Sequence, residues 1–199
     1  LYPYDGGTFV RELLEGDIHE KNRKDMGLAN RSDSKRAIYC LIYGGGDARL
    51  GEAVNGTPED GKKLKNKFFR TNPAFKKLRE RVMQKASTGF LKGLDGRLLP
   101  IRASYSALNT ILQSSASLIM KQATVFLYEN LKKKGFVWGE DYYQVCHVHD
   151  EVQLIVKEKL ADEVGQIAVQ SIRHTTEHFK FRCPLEGAYK VGYNWSQTH

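Results

Sequence analysis

Cysteine is scarce. The 199 residues hold three, Cys40, Cys146 and Cys183, with no CxxC pair and no short spacing. That odd, scattered set argues against a disulfide framework and for a reducing compartment. Long apolar runs are lacking too. No stretch approaches ~18 residues, so no membrane span is expected. Neither an internal repeat nor a low-complexity linker occurs. Acid is short relative to base: 31 Lys and Arg face 23 Asp and Glu, giving a net +8 and a pI near 9.3. Such a balance favours a polyanionic partner, nucleic acid before membrane. The chain also lacks a starting Met and a signal peptide, so it reads as a piece of something longer.

What is present is ordinary in bulk. At 41% hydrophobic and 27% charged, the chain has the composition of a globular protein. Its length allows one large domain or two small subdomains with real cores.

The most informative stretch is Tyr142 to Val156, YYQVCHVHDEVQLIV. Two short apolar-rich runs predict a β-hairpin with Asp150-Glu151 at or beside its turn. Paired carboxylates at such a tip need a cation or partner if they are buried. An Asp in a hairpin turn is also common for purely local reasons, because it bonds its own backbone. His147 and His149, two apart, would share one strand face, as paired metal ligands do. No third ligand at useful spacing accompanies them.

Asn30 to Gly46 predicts a helix capped by Ser32 or Asp33 and stopped by Gly44-Gly45-Gly46. Arg31, Lys35, Tyr39 and Tyr43 recur every four residues and form one stripe. Two cations followed by two aromatics suit a nucleotide: phosphates meet the cations, and a base or sugar meets a ring. Ile38, Leu41 and Ile42 would pack inward. The other reading is an amphipathic helix whose wet edge is basic.

The remaining segments follow the same logic. Phe9 to Leu14 is a short helical run, and Asp17 is a plausible N-cap for the segment holding His19, which is either a surface residue or an anion contact. Asp47 to Ala53 continues as helix or turn. Thr57 caps a basic helix from Pro58, and Pro73 starts another, Ala74 to Ser87. Their cations are either a solvated face or non-sequence-specific phosphate contacts. LDGR (Leu94 to Arg97) signals a hairpin turn. Ser106 to Lys132 is a long helix with an apolar stripe that includes Leu112, Leu118 and Leu127. Asn109 and Gln113 lie four apart on it; neutral amides suit minor-groove acceptors but are also ordinary helix polarity. After the hairpin, Glu158 to Phe179 predicts an amphipathic helix and Cys183 to Tyr189 a last strand.

Taken together, Arg31-x3-Lys35-x3-Tyr39-x3-Tyr43-Gly44 resembles motif B of family A DNA polymerases, and His149-Asp150-Glu151 between hydrophobic strands resembles their motif C. GDIH (Gly16 to His19), LDGR, ALNTILQS (Ala107 to Ser114) and the terminal Asn194, Trp195 and His199 resemble the bacteriophage branch. The resemblance covers nearly the whole chain. It implies an α+β fold, with helical fingers over residues 1–105 and a palm over 106–199 whose antiparallel sheet bears the HDE hairpin and is backed by helices. It implies that His19, Arg31 and Lys35 contact the incoming triphosphate, Tyr39 the nucleotide sugar and base, and Tyr43 the templating base. Arg102, Asn109 and Gln113 would contact primer or template, and His149 the primer end. Asp150 would bind catalytic Mg2+, with Glu151 assisting and Lys35 sharing in catalysis. Two Mg2+ ions are expected in a complete enzyme, consistent with phosphoryl-transfer chemistry. Primer–template DNA and dNTPs are the implied partners, with the upstream part of the polymerase and a processivity factor as further candidates. The expected location is the cytoplasm, that of the host if the gene is a phage's.

One departure bears on activity. The family holds its metals with a second Asp, in motif A. None of the acids from Asp5 to Asp25 has the strand-like apolar context that motif needs. The chain is therefore expected to begin just after it and not to polymerise alone. Two alternatives stand beside this reading. A single-subunit phage-type RNA polymerase shares a Lys…Tyr-Gly helix and an HD hairpin, although LDGR, ALNTILQS and the chain end favour the DNA enzyme. A non-catalytic nucleic-acid-binding module is the other.

Overall fold

The computed structural model describes residues 1–198. His199, part of the terminal match, lies outside the described residues. The chain divides into two compact units, Leu1–Gln113 and Ser114–His199. Each is described by itself.

The first unit is helical: α1 Tyr2–Asp5, α2 Thr8–Glu15, α3 Ile18–Met26, α4 Arg31–Ile42, α5 Asp47–Ala53, α6 Pro58–Thr71 and α7 Pro73–Ala86. A small antiparallel pair follows, β1 Phe90–Lys92 with β2 Leu98–Pro100, joined through LDGR. A 3-10 turn, Ser104–Ser106, leads into α8, Ala107–Lys133, whose first residues belong to this unit.

Local chemistry sets the helix starts. Asp17 caps α3 by accepting from the backbone N–H groups of His19 and Glu20. Thr57 and Asp60 form a reciprocal capping box on α6, with Pro58 in the first turn, an arrangement worth about 1 kcal/mol. The cap of α4 differs from expectation. Asn30, not Ser32 or Asp33, accepts from the Asp33 N–H. Asp33 sits three residues in, buried, bonded by the Asn30 amide at 2.8 Å and paired with Arg36.

The inward face of α4, Ala37, Ile38 and Leu41, packs with Met26, Leu50, Phe68, Phe75 and Leu108. The rings of Phe68 and Phe75 meet edge to face at 5.3 Å, the arrangement aromatic quadrupoles favour. Gly61 of α6 lies so close to the Asp47 carbonyl of α5 that no side chain would fit. A second small cluster joins Ala86, Leu91, Leu99 and Ala107.

The second unit has the remainder of α8, the hairpin β3 Tyr142–Val148 and β4 Glu151–Val156, a 3-10 turn Glu158–Leu160, α9 Ala161–His178 and a short α10, Trp195–Thr198. One sheet face carries Tyr142, Leu154 and Val156 onto Leu127, Leu131, Val164 and Ile167. Thus the sheet is antiparallel and backed by helices, and the α+β class stands. Among the described residues no helix is long and apolar enough to cross a membrane.

Three expectations are corrected. Cys183 to Tyr189 is not a strand; it runs irregularly along α9. There the Tyr189 ring lies where a side chain on Gly165 would be, with ring carbons 2.6 Å from that position, and the Thr176 hydroxyl accepts from the Leu185 N–H at 2.8 Å. Side-chain packing onto a helix replaces ladder pairing. Leu112 is exposed rather than part of the buried stripe of α8. The helix predicted from Glu158 opens with a separate 3-10 turn before α9.

Candidate functional site

In the first unit, α4 presents Arg31, Lys35, Tyr39 and Tyr43 as one exposed row, while Ala37, Ile38 and Leu41 are buried behind it. The four-residue spacing accounts for this directly: it advances each side chain by slightly more than one turn. The Tyr39 and Tyr43 rings are 5.9 Å apart. At 42% and 44% exposure, both rings are open to solvent.

His19 comes to the same row from α3. The Ser34 hydroxyl donates to the His19 carbonyl at 2.8 Å, tying the two helices together. The His19 and Tyr39 ring centres are 6.3 Å apart. Burial pushes the imidazole pKa below its usual value, and the positive charges of Arg31 and Lys35 push the same way against Asp17. Its Nδ1 is buried and has no hydrogen-bond partner among the described residues.

Arg31 donates from Nε to Asp17 Oδ2 at 2.7 Å. That hydrogen bond is the main reason the Asp17 carboxyl is lowered to about 2. Asp17 thus does two jobs, capping α3 and holding Arg31. Only the first is legible locally, since the partners are 14 residues apart. Lys35 makes no ion pair among the described residues.

At the end of α4, Gly44 takes φ +80°. A Cβ there would collide with the Tyr105 carbonyl oxygen and lie 3.0 Å from its carbon. This close approach sets Tyr43 beside the start of α8, where the Gln113 amide donates to the Tyr43 hydroxyl at 3.3 Å. Asn109, one turn earlier, has a buried Oδ1 with no hydrogen-bond partner among the described residues. Arg102 is exposed just before the 3-10 turn.

His149, Asp150 and Glu151 belong to the second unit. Val148 pairs with Glu151, so His149 and Asp150 form the turn itself. His149 has φ +53° and does not share a strand face with His147, which faces Val152 in the ladder. The expectation of paired histidines on one strand is therefore wrong, because the chain leaves the β conformation between them. Asp150 is exposed and Glu151 half-buried, with the Gln153 amide donating to the Glu151 carboxylate. Both acids help line a cleft of about 720 Å³ formed with β4, α8, α9 and residues 188–193.

The donor chemistry fits Mg2+. It binds through one or two carboxylates, completed by water and substrate phosphates, rather than through a full protein cage. An exposed Asp beside a Glu meets that need, and the neighbouring histidines do not. No group of three or more His, Cys, Asp or Glu side chains suited to a metal is assembled among the described residues.

The first unit thus presents an exposed row of cations and aromatics, and the second a hairpin tipped by two carboxylates. Residues 12–197 match the model of DNA polymerase family A, and the chain belongs to that family. It is 36% identical over 214 aligned positions to the DNA-directed DNA polymerase of Enterobacteria phage T3, covering 98% of this chain and 30% of that protein. The corresponding figures for DNA polymerase I of Aquifex aeolicus are 27% identity, 99% and 35%. The chain thus spans about a third of the length of these curated relatives. The polymerase domain of Pol1 from M. smegmatis, solved with DNA primer-template and dNTP, superposes with a TM-score of 0.73 at 20% identity, over 83% of this chain and 32% of that one. That likeness shows the shared fold.

Proposed function

We propose that this chain performs the nucleotide-gripping and primer-end work of a template-directed DNA polymerase, as fingers in its first unit and palm in its second. The observation that carries the reading is the exposed row Arg31, Lys35, Tyr39 and Tyr43 with His19 beside it. Lys35 and Arg31 bind the triphosphate oxygens of a dNTP, Arg31 exchanging Asp17 for phosphate. His19 adds an N–H donor. Tyr39 packs on the sugar and base, and Tyr43, held by Gln113, borders the templating position. Arg102, Asn109 and Gln113 contact primer or template, and His149 the primer end. Asp150, assisted by Glu151, would hold divalent metal. A metal held there would supply Lewis acidity toward the primer hydroxyl and positive charge toward the phosphates. Lys35 shares in catalysis by stabilising charge on the transferring phosphoryl group, where positioning and electrostatics dominate. The expected setting is the cytoplasm, that of the host if the gene is a phage's.

The test separates this reading from a non-catalytic DNA-binding module. In the complete polymerase containing this stretch, Asp150→Ala is expected to abolish primer extension while DNA affinity changes little. Folding should hold within about 0.5 kcal/mol, because the side chain is exposed. Extension at an undiminished rate would reject the assignment. A preference for dNTP over rNTP in the same assay distinguishes it from an RNA polymerase.

A further inference from the structure

A second cationic surface lies on α6 and α7, made of residues the nucleotide site does not use. Residues 62–85 hold ten Lys and Arg and a single acid, Glu80. That is a net +9, more than the +8 of the whole chain. The inward faces of the two helices explain where these cations go. Phe68 and Phe75 are buried in the same core as Ala37, Ile38 and Leu41 of α4. Within residues 62–85 the exposed charges are Lys62, Lys63 and Arg70 on α6, and Lys76, Lys77, Glu80, Arg81 and Lys85 on α7.

Few of these charges are satisfied internally. Lys76 reaches Glu80 only at 3.9 Å. Among the described residues Lys62, Arg70, Lys77, Arg81 and Lys85 make no ion pair. On α7, Lys77, Arg81 and Lys85 recur every four residues, a rise of about 6 Å per step. That is close to every second phosphate of a nucleic-acid strand, at about 3.4 Å per phosphate.

From this we infer that the α6–α7 face is a nucleic-acid backbone site, separate from the α4 row and blind to base sequence. The composition of the stripes decides the partner. Protein partners are held by buried aromatic or apolar anchors, and these two stripes offer none. Exposed among them, Asn66 and Gln84 carry amides and Thr71 a hydroxyl, groups that donate readily to phosphate oxygens. Single strands are commonly gripped by exposed aromatic platforms; here the rings point inward, unlike Tyr39 and Tyr43 on α4. Recognition is therefore of phosphates alone, and duplex and single strand are both accepted.

The experiment is fluorescence anisotropy of the 199-residue chain with a random-sequence 20-nucleotide strand, its 20-base-pair duplex, and a 20-residue polyglutamate. The variant is Lys77→Gln, Arg81→Gln, Lys85→Gln, three exposed positions, with its melting curve checked against wild type. Removing three phosphate contacts should flatten the log–log salt slope by about 2 on the strand and about 2.7 on the duplex. On the strand, the fall in affinity between 50 and 200 mM salt should then be smaller by roughly 16-fold. Binding of dNTP should be unchanged, so failure here is distinct from failure of the nucleotide-site reading. Unchanged DNA slopes overturn the inference. So does polyglutamate binding as tightly as DNA with the same loss in the variant, which would mark an acidic-protein site. Loss of dNTP binding in the variant would overturn the separateness of the two surfaces.

Discussion

Replacing Gly44 by Ala should unfold the first unit more easily, whereas the same change two residues later should not. At Gly44 the backbone has φ +80°. An L-residue held in the left-handed region costs about 1–2 kcal/mol. The added methyl would also strike the carbonyl of Tyr105, a backbone group that cannot rotate away. Overpacking of that kind costs typically about 1–3 kcal/mol. The sum is at least about 2 kcal/mol, a fall in Tm of roughly 4–8 °C for a chain of this size. Gly46 has φ −76° and no atom within 4 Å of a built Cβ. There the entropy gained against the unfolded chain offsets the weaker N-cap, and the net change stays within about 0.5 kcal/mol. Thermal unfolding of both variants followed by circular dichroism is sufficient. If the two melt together, the account of how the end of α4 is seated against Tyr105 is wrong, and with it the placement of Tyr43 beside Gln113.

Asp17→Asn keeps the α3 cap, because Asn serves as well as Asp there, but releases Arg31. Titration calorimetry should show tighter dNTP binding than wild type; unchanged or weaker binding would show that Asp17 does not compete with phosphate. His19 has a folded pKa below its unfolded value, chiefly from burial and then from Arg31. Its contribution to stability is therefore complete above the unfolded value near 6.5 and is lost as pH falls through the folded one. NMR titration of the His19 ring should show this low pKa, and Arg31→Gln should raise it; no upward movement in the variant would remove Arg31 as a cause.

Much of this was legible in sequence because it is local. The four-residue period of Arg31, Lys35, Tyr39 and Tyr43 places them on one face whatever surrounds the helix. Thr57-Pro58 and Asp17 announce their helices by cap chemistry that needs only three residues. Long-range features were not legible. The Arg31–Asp17 pair, the Gln113–Tyr43 bond and the seat of Tyr189 on Gly165 join residues 14 to 70 positions apart. No periodicity encodes them. The cap of α4 was not legible because Asn30, Ser32 and Asp33 are all competent capping types; the fold leaves Asn30 outside the helix and buries Asp33 within it. The place of His149 was not legible because a period of two holds only inside a strand, and the chain turns there.

The central claim is that the α4 row grips a nucleoside triphosphate. It is tested most directly by titrating the 199-residue chain with dNTP and following tyrosine fluorescence, wild type against Lys35→Ala. Lys35 is exposed and makes no ion pair among the described residues, so the variant should fold as wild type. Loss of one charge-assisted contact of about 1.5–3 kcal/mol predicts saturable binding in wild type that weakens by roughly 10- to 150-fold in the variant. Equal affinity in the two proteins, or no saturable binding in wild type, would contradict it.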